Sequence, residues 1–240
     1  MKKYKQLLSF LMFITICSFA QSQSDQEFYL PAEWEPHNGA VVCGIDDSAA
    51  FEMMTYISKE MKVHCFVEDS TENRYRKKFI DAGVNIDNIY LHTSPFDLSY
   101  AERDGLLFLK NGNGEKQLVN FQWNLYGWYL EPTFKDYIDN SKQKRDEYSK
   151  LYSKVFPYPV ISSIMVNEGG AIETNGKGTI IQVESVNMQR NSGMNKEQQE
   201  AELKKVLNAK KIIWLKEGVA DDPFGWGTLI AENYFGIGVR

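Results

Sequence analysis

Asp104-Gly105-Leu106-Leu107-Phe108-Leu109-Lys110-Asn111-Gly112-Asn113-Gly114 and Glu168-Gly169-Gly170-Ala171-Ile172-Glu173-Thr174-Asn175-Gly176-Lys177-Gly178 are the two stretches whose reading decides the fold. Written one beneath the other, both read acid, Gly, five residues, Asn-Gly-x-Gly, at an offset of 64 residues. An Asn-Gly step between apolar runs signals a hairpin, because a tight reversal needs positive φ and both residues tolerate it. Each stretch is therefore expected to be a β-hairpin whose first strand begins just after a carboxylate. Four positions coinciding at identical spacing mark an internal repeat, which predicts an α+β fold of similar modules, each a hairpin followed by a helix and another strand. Equivalent positions in such a fold face a common axis, so the carboxylates of Asp104 and Glu168 are expected to share one cleft. The plainer reading, a solvated turn before each strand, places them apart.

The flanking sequence fits alternating strands and helices. Residues 39–45 form a short apolar run, and Ser48 is a candidate N-cap for a helix with Ala50, Met53, Met54, Ile57 and Met61 on one face. Residues 63–67 read as a strand, and Ser70 or Thr71 as the cap of a second helix with Tyr75, Phe79 and Ala82 inward and Gly83 at its end. A strand near residues 89–92 completes this stretch. Residues 133–154 are a charged helix stopped by Pro157 and Pro159. Asn195 with Gln198 makes a capping box before Leu203, Val206 and Leu207, and residues 211–215 read as a strand.

The 240 residues, 43% hydrophobic and 13% aromatic, suffice for one large domain or two small ones with a real core. Residues 1–20 read as a signal peptide: Lys2, Lys3 and Lys5 precede an apolar run from Leu7 to Phe19 and a small-x-small site, Ser18-Phe19-Ala20. The run is short for a bilayer span, so cleavage ranks above an uncleaved anchor, and Ile16 before Cys17 does not suit lipoprotein processing. Export to the periplasm or beyond the cell is expected, with no membrane attachment after cleavage. Losing those three lysines from 27 basic residues leaves 24 against 32 acidic, a net charge of −8 that argues against nucleic acid as a partner. Cys43 and Cys65 remain, and their spacing leaves a disulfide and two buried thiols equally open. His37, His64 and His92 lack metal-ligand spacing, so no zinc site is expected.

Several phrases together resemble the agmatine deiminase and bacterial peptidylarginine deiminase family of guanidine-modifying enzymes. They are Pro31-Ala32-Glu33-Trp34-Glu35-Pro36-His37 near the start, Arg103-Asp104-Gly105, Phe121-Gln122-Trp123-Asn124-Leu125-Tyr126-Gly127, and Asn167-Glu168-Gly169-Gly170. The resemblance runs from Leu30 to about Leu215. It implies a pentein-type propeller of five ββαβ blades, of which the sequence accommodates about three: at roughly 64 residues per module, residues 21–240 make about three and a half. They are accordingly expected to be a partial deiminase domain.

The family hydrolyses guanidinium groups. A guanidinium is planar, permanently charged and forked, so carboxylates fix it by charge-assisted hydrogen bonds. The resemblance assigns that role to Asp104 and Glu168, the only catalytic-class residues it identifies here, with Trp123 and Asn124 lining the pocket. In the family a cysteine thiolate then attacks the fixed carbon, a histidine moves protons, and water releases a ureido product. No organic cofactor is implied. This sequence departs from the pattern in three places. The loop after Asp104 is shorter and lacks the family's proline, and Cys43-Gly44 stands where relatives carry an aromatic-Pro pair. The family's Gly-His-x-Asp motif and C-terminal cysteine have no counterpart before Arg240, although Gly225-Trp226-Gly227 and residues 236–240 resemble the approach to that motif.

The expected ligand is a guanidinium-bearing small molecule or arginine in peptides, with export favouring the peptide. The 240-residue chain alone is expected to be inactive, and a complement chain supplying the C-terminal part is the implied partner. The competing reading is a non-catalytic exported binding protein of the same fold holding a cationic ligand. Glycoside hydrolysis by the two carboxylates loses on the motifs, and amidino transfer stays open.

Overall fold

The computed structural model describes residues 26–43, 45–95, 101–124 and 135–218, apart from the side chains of Glu102, Asp104, residues 135–139 and Ser141. The signal-like segment, residues 125–127 of the aromatic phrase, and the stretches at 225–227 and 236–240 lie outside the described residues. Three sheets of three strands follow one another along the chain.

The first sheet is wholly parallel, in the order β1 (Gly39–Val42), β2 (Lys62–Glu68), β3 (Ile89–Ser94). Helices α1 (Ser48–Ile57) and α2 (Glu72–Asp81) connect them. The central strand carries a nearly unbroken apolar run because both its faces are covered. Val63, Cys65 and Val67 pack with Met54, Tyr75 and Phe79 of the helices, while Phe66 faces the next module. Asp47, not Ser48, caps α1, its carboxylate accepting from the Ala49 and Ala50 amides. Met53 is exposed, so the inner stripe of α1 is narrower than expected and rests on Met54, with Ala50 and Ile57 beside it. Thr71 occupies the N-cap position of α2 after a 3-10 turn, without a capping bond from its side chain.

The second and third sheets repeat one plan. In the second, the single helical turn α3 (Ala101–Asp104) precedes β4 (Leu107–Lys110), which pairs antiparallel with β5 (Lys116–Gln122), and α4 (Lys135–Val155) then leads to β6 (Val160–Val166), parallel to β5. In the third, β7 (Glu173–Thr174) pairs antiparallel with β8 (Thr179–Val183). Helices α5 (Glu184–Arg190) and α6 (Lys196–Leu207) then lead to β9 (Lys211–Leu215), parallel to β8. Both modules thus run hairpin, helix, strand as the repeat predicted, the third with two helices in place of one, and the capping box on α6 forms with both of its bonds.

The two hairpin turns match in detail but are not tight Asn-Gly turns. The first loop has five residues (111–115) and the second four (175–178), and in each the Asn side chain takes the place of a backbone acceptor. Asn111 Oδ1 accepts from the amides of Asn113 and Glu115, and Asn175 Oδ1 from those of Lys177 and Thr179. Neither Asn has positive φ; the left-handed position common to both loops falls three residues later, on Gly114 (φ +80°) and Gly178 (φ +87°), and the second loop adds Gly176 (φ +68°).

The opening phrase clasps these two hairpins. Tyr29 exchanges backbone hydrogen bonds with Lys110, and Glu35 receives Lys110 Nζ at 2.8 Å and the Tyr29 hydroxyl at 3.2 Å. Leu30 accepts from Thr174 Oγ1, and Phe28 from Asn208 Nδ2 at the end of α6.

Candidate functional site

Strands β5 and β6 are parallel neighbours, so the residues that follow them emerge at the same end of the sheet. Trp123 and Asn124 follow β5; Asn167 and Glu168 follow β6; and the Asn167 amide donates to the Gln122 carbonyl. The register slips between Asn120 and Gln122, with residues 163–165 bulging from β6. Side chains satisfy the bulge. Gln122 Nε2 donates to Ser163 O, Ser163 Oγ accepts from the Met165 amide, and Glu202 of α6 accepts from the Ile164 amide and the Ser163 hydroxyl. Burial pushes the Glu202 carboxyl up, but the Ile164 amide, Ser163 and Lys205 outweigh that and hold it below the usual carboxylate range.

Buried amides then fix the residues beyond the bulge. Asn191 brackets Val166, accepting from its amide at 2.7 Å and donating to its carbonyl at 3.0 Å. Asn167 Oδ1 accepts from the Glu168 amide, while Asn167 and Asn187 both donate to Gln182 Oε1 and Gln182 donates to Ala171 O. The backbone on both sides of Glu168 is therefore held by side chains of the third module.

Three of the four residues expected to form the site meet on one arginine. Arg190, at the end of α5, donates from Nη1 to Glu168 Oε1 at 3.0 Å. Its guanidinium lies over the Trp123 ring, 5.2 Å from the centroid, and its carbonyl accepts from Asn124 Nδ2 at 2.9 Å. The side chains of Arg190 and Glu168 are 4% and 11% exposed. Glu168 Oε2 is buried with no hydrogen-bond partner among the described residues. Leaving a buried acceptor in that state costs about 1–3 kcal/mol.

The Asp104 side chain lies outside the described residues. Its backbone ends α3, which packs against the 3-10 turn Gly169–Ala171 directly after Glu168. Beside it, the Arg103 guanidinium approaches the Trp123 ring at 5.8 Å, and Arg145 of α4 donates to the Arg103 carbonyl. Sequence reasoning did not single out Arg190, Arg145, Gln182, Asn187 or Asn191. No local pattern distinguishes an arginine 22 residues after an acid from a surface one, since only the packing of α5 brings it back.

The other reactive side chains sit elsewhere. Cys43 and Cys65 are buried and not joined in a disulfide. Burial pushes the Cys65 thiol up to about 12, and it points at Met54 Sδ. His64 of β2 and His92 of β3 share a hydrogen bond of 2.9 Å within the first sheet, and His37 is exposed. Among the described residues no group of three or more His, Cys, Asp and Glu is placed to hold a metal ion. The arrangement cradles the Arg190 cation between a buried carboxylate, an aromatic plane and a frame of amides.

The comparisons with known proteins agree with the fold and extend it. The sequence matches the profile of the Porphyromonas-type peptidyl-arginine deiminases over residues 29–225. It is 26% identical over 209 residues to a provisionally named agmatine deiminase of Selenomonas ruminantium, covering 81% of this chain and 55% of that protein. The agmatine deiminase of Enterococcus faecalis superposes with a TM-score of 0.63 at 21% identity, over 78% of this chain and 53% of the other. A C. jejuni agmatine deiminase gives 0.58 at 19%, over 81% and 56%. The chain thus spans about half the length of the relatives it matches. With the matched profile covering most of its residues, the chain belongs to the Porphyromonas-type peptidyl-arginine deiminase family of guanidine-hydrolysing enzymes.

Proposed function

We propose that this chain supplies the cation-holding part of a guanidinium deiminase, an enzyme that converts a protonated guanidinium and water to a ureido group and ammonium. The observation that carries the reading is the Glu168 cradle. It already holds a guanidinium, that of Arg190, against an aromatic face, and it keeps one buried carboxylate oxygen without a hydrogen-bond partner among the described residues. Asp104 is the second acid of the reading, supported by the packing of α3 on the turn after Glu168. The two ββαβ modules and the parallel first sheet are read as about three blades of a five-bladed propeller. Residues 1–20 are read as an export signal, which favours arginine in peptides over agmatine as the substrate and leaves the protein periplasmic or secreted.

A second reading is favoured by where the thiols and imidazoles lie. Cys43, Cys65, His64 and His92 are built into the first sheet and its seam with the second, away from the cradle. Residues 1–240 by themselves then bind a cation without converting it, either as a binding protein or as one half of an enzyme completed by a complement chain. Calorimetry with agmatine and with an arginine-containing peptide, alongside assays for ammonia and ureido product, tests both readings. Binding without product is expected of the 240-residue chain. Ureido product from this chain alone overturns the binding-only reading, and absence of binding to either ligand overturns the cradle's role.

A further inference from the structure

Arg190 engages Glu168 at Oε1 alone, and that one-sided contact determines what the carboxylate can offer a ligand. A buried carboxylate is stable when its acceptor sites are used, and Oε2 has no hydrogen-bond partner among the described residues. The guanidinium is kept in place by the Trp123 ring at 5.2 Å and by Asn124, which holds the Arg190 carbonyl at 2.9 Å. Asn187 and Asn191 brace the end of α5 in turn, Asn191 Nδ2 donating to the Asn187 carbonyl and Asn187 Nδ2 to Gln182 Oε1. The contact thus uses one carboxylate oxygen and leaves the second, buried, without a hydrogen-bond partner among the described residues.

We propose that Arg190 is a positioning residue for Glu168: it grips Oε1, keeps the carboxylate in one orientation and turns Oε2 toward the guanidinium of the ligand. This rests on the reading of Glu168 as a ligand-holding acid. An incoming guanidinium then meets a carboxylate whose charge is already compensated, so Glu168 contributes a directed hydrogen bond more than net attraction. Arg190 is a resident counter-ion that shapes the site, as opposed to a plug that competes for it.

The test uses the 240-residue chain and agmatine as the probe, with binding measured by calorimetry. Arg190→Gln is expected to weaken agmatine binding at least about tenfold, and Arg190→Lys, which keeps the charge and a donor, to recover most of it. Millimolar guanidinium chloride is expected to restore agmatine binding to Arg190→Ala, a rescue that a general loss of packing would not permit. Near-UV circular dichroism reports whether each variant keeps its packed aromatics. Should Arg190→Gln fail to fold, Arg190→Lys and the rescue of Arg190→Ala carry the comparison. Equal or tighter binding by Arg190→Gln, or no rescue by guanidinium, overturns the proposal while leaving the deiminase reading in place. Absence of agmatine binding by the unaltered chain overturns both.

Discussion

The seam between the first and second sheets and the seam between the second and third use different chemistry. At the first, Phe66 of β2 stacks on Tyr152 of α4 at 4.8 Å, His64 tilts against Phe156, and Cys43, Leu106, Leu118 and Tyr148 complete a largely apolar contact. The second has an apolar centre too, Leu109, Val119, Phe121 and Met165 against Ile180, Leu203 and Leu207, but polar groups ring it. Glu202, Asn167, Asn191, Gln182 and the Glu168–Arg190 pair cross there, each in a directed bond. Apolar packing is non-directional and stabilises whatever fits, whereas a buried polar group must meet its partner at hydrogen-bond distance. The cradle lies on the second seam, where bond direction fixes each group's position. The first seam supplies stability and carries none of the cradle residues.

Phe66→Ala is the strongest challenge to that contrast. Removing a fully buried ring from the first seam should cost about 4 kcal/mol, read as a lower urea midpoint, with guanidinium binding kept by the fraction that stays folded. A cost below about 1 kcal/mol would mean that the aromatic stack is not what joins the modules. Glu202→Ala should cost somewhat less, about 3 kcal/mol, because it strands the Ile164 amide and the Ser163 hydroxyl. Unlike the first variant, it should also weaken agmatine binding, since the bulge it supports leads into Glu168. Unchanged binding by stable Glu202→Ala would separate the polar seam from the site.

The smallest expected effect is a pH dependence confined to the first seam. Burial, with His64 close by, pushes His92 down to about 4, and burial with Lys62 nearby also lowers His64. Between about 6.5, the ordinary histidine value, and about 4 the unfolded chain binds protons that the folded chain refuses. The contribution of His92 to stability is therefore complete above pH 6.5, declines as the pH falls toward 4, and levels off below that. His92→Phe keeps an aromatic ring without its own titration, so it should lessen the slope of the melting temperature across that window, leaving the share that comes from His64. A parallel decline in wild type and variant would assign the acid sensitivity to carboxylates instead.

The hairpins, the capping box and the helix stopped by prolines were legible because each is written in residues a few positions apart. Asn111 and Asn175 announce their loops, although not the geometry of those loops, because side-chain capping and a tight turn use the same Asn-Gly letters. Of the residues around Arg190, Glu168 was marked by the hairpin repeat itself, whereas Trp123 and Asn124 were named only through family resemblance. Arg190 was not legible at all, since its partners Asn124 and Glu168 lie 66 and 22 positions away. The histidines show the same limit: a 28-residue separation conceals that parallel strands place His64 and His92 within 2.9 Å.

The clasp formed by the opening phrase has a consequence for synthesis. Leu30 and Phe28 find their partners Thr174 and Asn208 at separations of 144 and 180 residues. At ribosomal speeds of roughly 5–20 residues per second, these residues wait on the order of 10 s before anything exists for them to dock on. Such long-range closure is slow for entropic reasons as well. The first part of the body to be made is therefore among the last to be fastened, and during that interval Tyr29 and its neighbours are open to proteases and chaperones.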